Sequence, residues 1–388
     1  MITRRGLLAG AGGLLLAGCS GSNGRGAARP RRTTSGGLRV EVVAGGLEHG
    51  WDVGFLPDGS TLVTQRPGRL ALVSGGRVRP VRANFDDVLA AGEGGLMGLL
   101  VHPGFARDRR FVTCQTHQVG GRAVDVRLIT WRLSADGGSA RRVGPLVTGL
   151  PVNPSGRHSG CRPALARDGA LLVTTGDTAR PEIAQDLSSL GGKVLRLNLD
   201  TGRPLPGNPF LDSPDPATRL IHTYGHRNPQ GIAVRRDGRV LVAEHGPDVD
   251  DELNPLVAGG NYGWDPSSGG RTGFYDESVP MTDLKQFPDA VPALWTSGGE
   301  TEAVCDATVL TGPRWGPLDG ALAVTALKGR KVLLFHLADD ASVREVSIPA
   351  ELDGTHGRLR AAAQGPDGAL YITTSNGDDD ELLRVTRR

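Results

Sequence analysis

His158 stands among small residues in Gly156-Arg157-His158-Ser159-Gly160, and the hairpin unit that follows closes on Thr175-Gly176-Asp177. A hairpin returns to the edge it left, so Asp177 can meet the histidine there. A carboxylate beside an imidazole fixes its tautomer and stabilises its charged form, which is a general-base arrangement. Read alone, a loop histidine is as readily a solvated or capping residue. Tyr224-Gly225-His226-Arg227-Asn228-Pro229 offers a fixed cation beside an amide, although a single loop arginine can simply brace carbonyls. Further cations follow at Lys328 in Ala326-Leu327-Lys328-Gly329 and at Arg358 and Arg360 in Gly357-Arg358-Leu359-Arg360. On a strand the last two point to one side, and two like charges on one face suit an anionic ligand. A solvated edge strand is the plain alternative.

Ala243-Glu244-His245-Gly246-Pro247 leads into Asp250-Asp251-Glu252-Leu253-Asn254, which gathers hard oxygen ligands suited to calcium without the spacing of an EF-hand loop. A solvated acidic turn has the same composition. Gly92-Glu93-Gly94-Gly95 lacks the Lys-Ser/Thr of a phosphate loop, and Glu93 is free to project into a pocket beside flexible backbone. No Gly-x-Ser-x-Gly elbow, His-Glu-x-x-His motif or Cys-x-x-Cys pair occurs, which removes the usual support for hydrolase, metalloprotease and cysteine-zinc readings.

These residues sit on loops, and the elements between them are short. Gly 58 and Pro 26 in 388 residues, with no sustained helical period after the N-terminus, indicate an all-β chain. An Asp-Gly turn followed by an apolar strand recurs at Asp58, Asp168, Asp237 and Asp367. Weaker copies lie at His102-Pro103-Gly104-Phe105 and Gly316-Pro317-Leu318-Asp319-Gly320. Six such units predict a six-bladed β-propeller, because a lone blade cannot bury both faces and must stack in a closed ring. A double β-sandwich competes, but it does not require the unit to recur along the whole chain. Two excursions break the rhythm, Thr178 to Pro209 with a helical turn at Ala184 to Ser189, and Gly263 to Pro292, which reads as a lid or a metal-stabilised loop.

The N-terminus sets the compartment. Arg4-Arg5, the apolar run Leu7 to Leu16 and Leu16-Ala17-Gly18-Cys19 read as an export signal over 1–18 with a twin-arginine pair and a lipobox. Residues 19–36 then form a flexible tether from a lipidated Cys19, and 37–388 the propeller, held on the outer face of the cytoplasmic membrane by the anchor alone. An ordinary cleaved signal is the alternative. The remaining Cys114, Cys161 and Cys305 allow one disulfide and one free thiol, with all three pairings open. Lys+Arg 44 against Asp+Glu 42 leaves a formal charge of +2, and nothing in its distribution asks for nucleic acid.

Taken in order, Gly92 to Pro103 (Gly-Glu-Gly-Gly-Leu-Met-Gly-Leu-Leu-Val-His-Pro), the His158 loop, Ala184 to Ser189, Gly192-Lys193-Val194-Leu195-Arg196, the Tyr224 stretch, the Lys328 and Arg358 motifs and Gly365-Pro366-Asp367-Gly368 resemble one family. It is that of the soluble aldose (glucose/sorbosone-type) dehydrogenases that use pyrroloquinoline quinone, which are six-bladed propellers, and the likeness covers the chain after Gly37. The resemblance implies oxidation of the anomeric hydroxyl of an aldose to the lactone, with hydride transfer to the quinone and electrons passed to an external acceptor. It implies that His158 is the base oriented by Asp177, that Arg227 stabilises charge developing on the quinone, and that Asn228, Asp251, Lys328, Arg358 and Arg360 hold the tricarboxylate. It also implies a calcium ion on the Gly246 and Pro247 carbonyls and a structural one at Glu252 with the Tyr262 carbonyl. Glu93 and His245 stand where glucose-oxidising members carry Gln, so the substrate contacts differ. Cys161 and Pro163 interrupt the family's Gly-Gly-Arg pattern after the histidine, which motivates a rival reading as a non-catalytic propeller lipoprotein binding a glycan or protein. A calcium-dependent lactonase is a third.

Overall fold

The computed structural model describes residues 29–33, 37–271 and 273–388. The expected export signal and most of the expected tether lie outside these residues. Among the described residues, five sheets of four strands and one of five make a six-bladed β-propeller, as the repeat predicts. The innermost strands are Gly50–Phe55, Leu96–Val101, Gly160–Leu165, Pro229–Val234, Val304–Val309 and Leu359–Gln364, in blades one to six. Leu38–Leu47 runs antiparallel to Asp380–Arg387 as the outermost strand of blade six, so the two ends of the propeller close the ring. Arg31 and Arg32, in the span expected to be tether, pair in parallel with Ser347 and Ile348 at the edge of blade five.

Strand burial follows position in the blade. Ala170–Thr175, second in blade three, is buried at every residue because blades cover both its faces, which is why it reads as a continuous apolar run. Arg77–Pro80, outermost in blade one, is largely exposed. Each of the six blade interfaces has its own apolar cluster, such as Leu172, Val194, Ile232 and Val242 between blades three and four.

All six repeated units join an innermost strand to the second strand of the same blade. In four the Asp-Gly pair makes the turn; at Asp58, the carboxylate accepts from the Ser60 amide at 3.0 Å while Gly59 takes a positive φ of 84°. In the two weaker copies a short helix stands in its place, at Phe105–Asp108 and Pro313–Leu318. These turns occupy one rim of the propeller. The opposite rim is therefore left to the loops that enter the innermost strands and leave the second strands, and every functional candidate lies there or just beneath it.

Blade packing resolves the cysteine question. Cys114 in Arg110–Val119 of blade two bonds to Cys161 in the innermost strand of blade three, with Cα atoms 6.1 Å apart, and Cys305 is a buried free thiol. The bond closes a 47-residue loop and ties down the strand that begins just after His158. Replacing Cys161 with alanine is expected to lower unfolding stability by about 2–4 kcal/mol, mainly by freeing the unfolded chain. The check is a lower denaturant midpoint in Cys161→Ala than in the oxidised parent.

Candidate active site

Two glycines allow His158 and Asp177 to meet. A Cβ at Gly156 would fall 1.7 Å from the Ala91 carbonyl oxygen, and one at Gly176 would fall 2.2 Å from the His158 carbonyl oxygen. No side chain fits at either position, so the His158 loop seats directly on its neighbours. His158 Nδ1 lies 2.8 Å from Asp177 Oδ1, and both residues are buried. The Ala179 amide donates to the same Asp177 oxygen at 2.8 Å. The other oxygen, Oδ2, accepts from Trp264 Nε1 at 2.8 Å and from the Tyr275 hydroxyl at 2.6 Å. Burial works to raise Asp177, but His158, Arg227 and the Tyr275 hydroxyl outweigh it and hold the carboxyl below its ordinary range. With Nδ1 committed to a carboxylate, Nε2 is left as the accepting nitrogen, and Arg157 Nε stands 3.3 Å from it.

Arg227 reaches this pair from the loop before blade four. Glu244 props that loop, accepting the Arg227 amide at 2.6 Å and approaching His226 Nδ1 at 2.7 Å. The guanidinium donates through Nη1 to the His245 and Gly246 carbonyls at 2.9 and 2.8 Å, and through Nη2 to Glu277 at 2.5 Å. Arg227 Nε is buried with no hydrogen-bond partner. Glu277 also accepts from Arg157 Nη2 at 2.7 Å, so one carboxylate bridges two cations beside the base.

A cavity of about 390 Å³ opens next to this group. Arg66, Glu93, Gln230, His245, Arg358 and Arg360 line it, with the apolar Leu327 and Ala303. Glu93 Oε2 accepts from Asn228 Nδ2 and Gln230 Nε2, each at 2.8 Å, and Gln230 Oε1 accepts from Arg360 Nη1 at 2.8 Å. Asn228 Oδ1 turns the other way, taking the Gly160 amide at 3.2 Å, and so ties the cavity to the His158 loop. Burial and the neighbouring Arg358 push Arg66 below its ordinary range, and burial does the same to Arg360. Arg360 Nε is buried without a partner. Three guanidinium groups thus face one space that holds a single carboxylate. Burial also lowers His245, partly offset by Asp251, which favours its neutral form.

The structure therefore brings His158, Asp177 and Arg227 together, and sets Asn228, Glu93, His245, Arg358 and Arg360 beside them. Other expected residues lie elsewhere. Lys328 is exposed on the turn beyond Leu327 and is not among the residues that line the cavity. Asp251 is fully buried and braces loops, accepting from the amides of Gly246 at 2.8 Å and Glu302 at 2.6 Å and from the Thr301 hydroxyl at 2.9 Å. The Gly246 carbonyl faces Arg227 Nη1 and His245 Nδ1, so a cation on Gly246 and Pro247 would meet a guanidinium already in place. Among the described residues no group of three or more His, Cys, Asp or Glu side chains is arranged to hold a metal ion.

Glu252 and Tyr262 lie below in blade four. Glu252 takes Thr282 Oγ1 at 2.9 Å and Asn254 Nδ2 at 3.1 Å, and burial together with Glu244 pushes it up to about 8. Asn254 Oδ1 beside it is buried with no partner. The Tyr262 ring stacks on His226 at 4.2 Å between centroids.

Besides Arg66 and Gln230 in the cavity lining, the sequence reading gives no role to four residues around the His158–Asp177 pair, Arg157, Trp264, Tyr275 and Glu277. Arg157 carries a signal in its adjacency to His158. The other three lie in a Gly-, Ser- and Asp-rich excursion with no strand period to place them.

A family model described as Glucose / Sorbosone dehydrogenase matches residues 47–384. The aldose sugar dehydrogenase YliI of Escherichia coli K12 is 31% identical over 362 residues, covering 90% of this chain and 93% of the relative. An uncharacterized Synechocystis protein, slr1608, is 30% identical over 370 residues, covering 90% of this chain and 86% of its own length. The structure of the PQQ-bound form of an aldose sugar dehydrogenase from Streptomyces coelicolor superposes with a TM-score of 0.73 at 28% identity, covering 90% of this chain and 98% of that one.

Proposed function

This chain belongs to the glucose/sorbosone dehydrogenase family, and from that premise we propose that it oxidises the anomeric hydroxyl of an aldose to the lactone with pyrroloquinoline quinone as its cofactor. The observation that carries the proposal is the set of three arginines, Arg66, Arg358 and Arg360, around a cavity that Asn228 links to the His158 loop through Glu93 and the Gly160 amide. Mutually repelling cations with an orphan buried donor suit a ligand bearing several carboxylates, which is what this quinone is.

Arg358 and Arg360 would hold its carboxylates, and Asn228 its polar edge. When bound, the quinone supplies the two-electron acceptor for the hydride that leaves the sugar C1. His158 Nε2 takes the hydroxyl proton, and Asp177 stabilises the imidazolium that results. Arg227 places fixed positive charge next to this centre without reorganisation. Arg157 has to release Nε2 for the hydroxyl to approach, and Glu277 is the partner already in place to keep it.

Calcium suits one of its two expected places. The Glu252 carboxylate, raised by burial and Glu244, and the orphan Asn254 Oδ1 make a donor set in want of a cation, and we assign a structural calcium there. The Gly246 and Pro247 carbonyls do not fit a second ion in this arrangement, and no step is assigned to one. Cys161 does not support a relic site: it forms a disulfide while His158 keeps its aspartate. The lipid anchor at Cys19, a position on the outer membrane face and an external electron acceptor complete the proposal on sequence grounds.

Fluorescence titration of the metal-free and calcium-loaded protein with the quinone tests the reading. The expected result is saturable binding, weakened about 10- to 100-fold in Arg358→Ala, the loss of one charge-assisted contact. Aldose-dependent reduction of an artificial acceptor should then require the quinone. Absence of saturable binding, or equal binding by Arg358→Ala, overturns it.

A further inference from the structure

The Gly263–Pro292 excursion leaves blade four between Glu252–Pro255 and Trp295–Thr296 and crosses to the His158 loop of blade three. Its Trp264 and Tyr275 side chains end on the same oxygen of Asp177. We propose that Tyr275 is a positioning residue that sets the proton affinity of His158 by sharing the charge of Asp177, an inference that rests on His158 being the base.

The hydroxyl contact with Asp177 Oδ2 is short, 2.6 Å, in the range of a charge-assisted O–H to carboxylate bond. Burial and the nearby Asp177 charge raise the Tyr275 phenol well above its ordinary range, so the hydroxyl remains a donor and is not itself a base. It acts through the Asp177 carboxylate. By donating to Asp177 it draws off charge that would otherwise stabilise the imidazolium. Its one proton is committed to that carboxylate, and the 3.4 Å separation of its oxygen from His158 Nδ1 is too long to compete with the 2.8 Å contact between Nδ1 and Asp177. Removing the hydroxyl therefore makes His158 a stronger base.

The charged and titratable groups around His158 are Asp177 and Tyr275 at Nδ1 and Arg157 at Nε2, with Glu277 and Arg227 beyond them. Lys193 lies beneath, its Nζ donating to the carbonyls of Ile183, Ala184 and Gly191. Tyr275→Phe alters one of these contacts and leaves the others. Asp177 Oδ2 keeps Trp264, so no buried carboxylate oxygen is orphaned and the fold is retained.

The experiment follows the His158 imidazole by NMR in the full chain without quinone, with histidines labelled with nitrogen-15 and His158→Gln supplying the assignment. In Tyr275→Phe the titration midpoint of His158 is expected to rise by about one unit. On an Asp177→Asn background the same substitution should move it little, since the carboxylate through which it acts is gone; a merely structural effect would appear in both backgrounds. In quinone-loaded enzyme the acid limb of kcat/KM should shift upward with the NMR midpoint while KM for the aldose stays near the parent value. An unmoved His158 midpoint in folded Tyr275→Phe overturns the proposal. A shifted midpoint in a protein with no quinone-dependent turnover sustains the role of Tyr275 and overturns the dehydrogenase reading instead.

Discussion

Replacing His158 with glutamine is expected to reduce quinone-dependent aldose oxidation by about a thousandfold, within the range for loss of a general base. Glutamine can still reach Asp177 with its amide, so the buried carboxylate keeps a donor and the loop keeps its path. What disappears is a nitrogen able to hold a proton. The cavity groups that would hold the quinone, Arg358, Arg360 and Asn228, do not bond to His158, so the quinone titration should match that of the parent. The loss should fall on kcat, because the proton moves only as the transition state forms. Steady-state kinetics paired with quinone titration checks both halves. A loss below tenfold, or a loss explained by weaker quinone binding, would remove His158 from the role of base. Asp177→Asn is the companion test and should lose activity while retaining quinone, because an amide cannot stabilise the imidazolium.

What the sequence disclosed about this site is what local chemistry encodes. The Asp-Gly turns at Asp58, Asp168, Asp237 and Asp367 announce themselves, since a carboxylate bonds its own turn and glycine supplies the positive φ. The His158–Asp177 pair follows from hairpin return, and Arg358 with Arg360 from strand alternation. Tyr275 and Glu277 lie beyond that reach because they stand at the end of an excursion whose path no period reports, against Asp177 and Arg157 of blade three and Arg227 at the entry to blade four. Lys328 shows the converse: the resemblance implies that it holds the cofactor, but the turn it stands on leaves its side chain exposed while Leu327 faces the cavity. The disulfide is similar, because three cysteines without spacing rules become one pair only when blades two and three are side by side.

Arg162 carries the largest expected effect on stability, and its substitution by methionine is predicted to destabilise the protein by about 3–5 kcal/mol. Its guanidinium lies buried where the innermost strands meet, 2.8 Å from Asp52 Oδ1 and 3.2 Å from Asp306 Oδ2, with its Cζ 4.2 Å from the centre of the Trp51 ring. Arg162 Nε donates to the Gln230 carbonyl at 3.0 Å. Blades one, three, four and five therefore meet at this one side chain. The two carboxylates also join blades laterally, Asp52 accepting the Leu99 amide and Asp306 the Ala362 amide, each at 2.8 Å. Burial raises both acids, Asp306 to about 7, and Arg162 is the group that opposes this. An acid whose folded pKa is raised stabilises the fold fully below its unfolded value of 3.8, and that contribution is lost as pH climbs toward the folded value. Without Arg162 the folded values move higher still, so the deficit of Arg162→Met should be greater at pH 8 than at pH 5. Urea unfolding at the two pH values measures it. Adding Asp52→Asn and Asp306→Asn should recover much of the loss, because each amide oxygen can still accept a backbone N–H and no charge is left buried. Recovery would place the cost in the unpaired carboxylates; equal instability of the triple variant would place it in packing against Trp51.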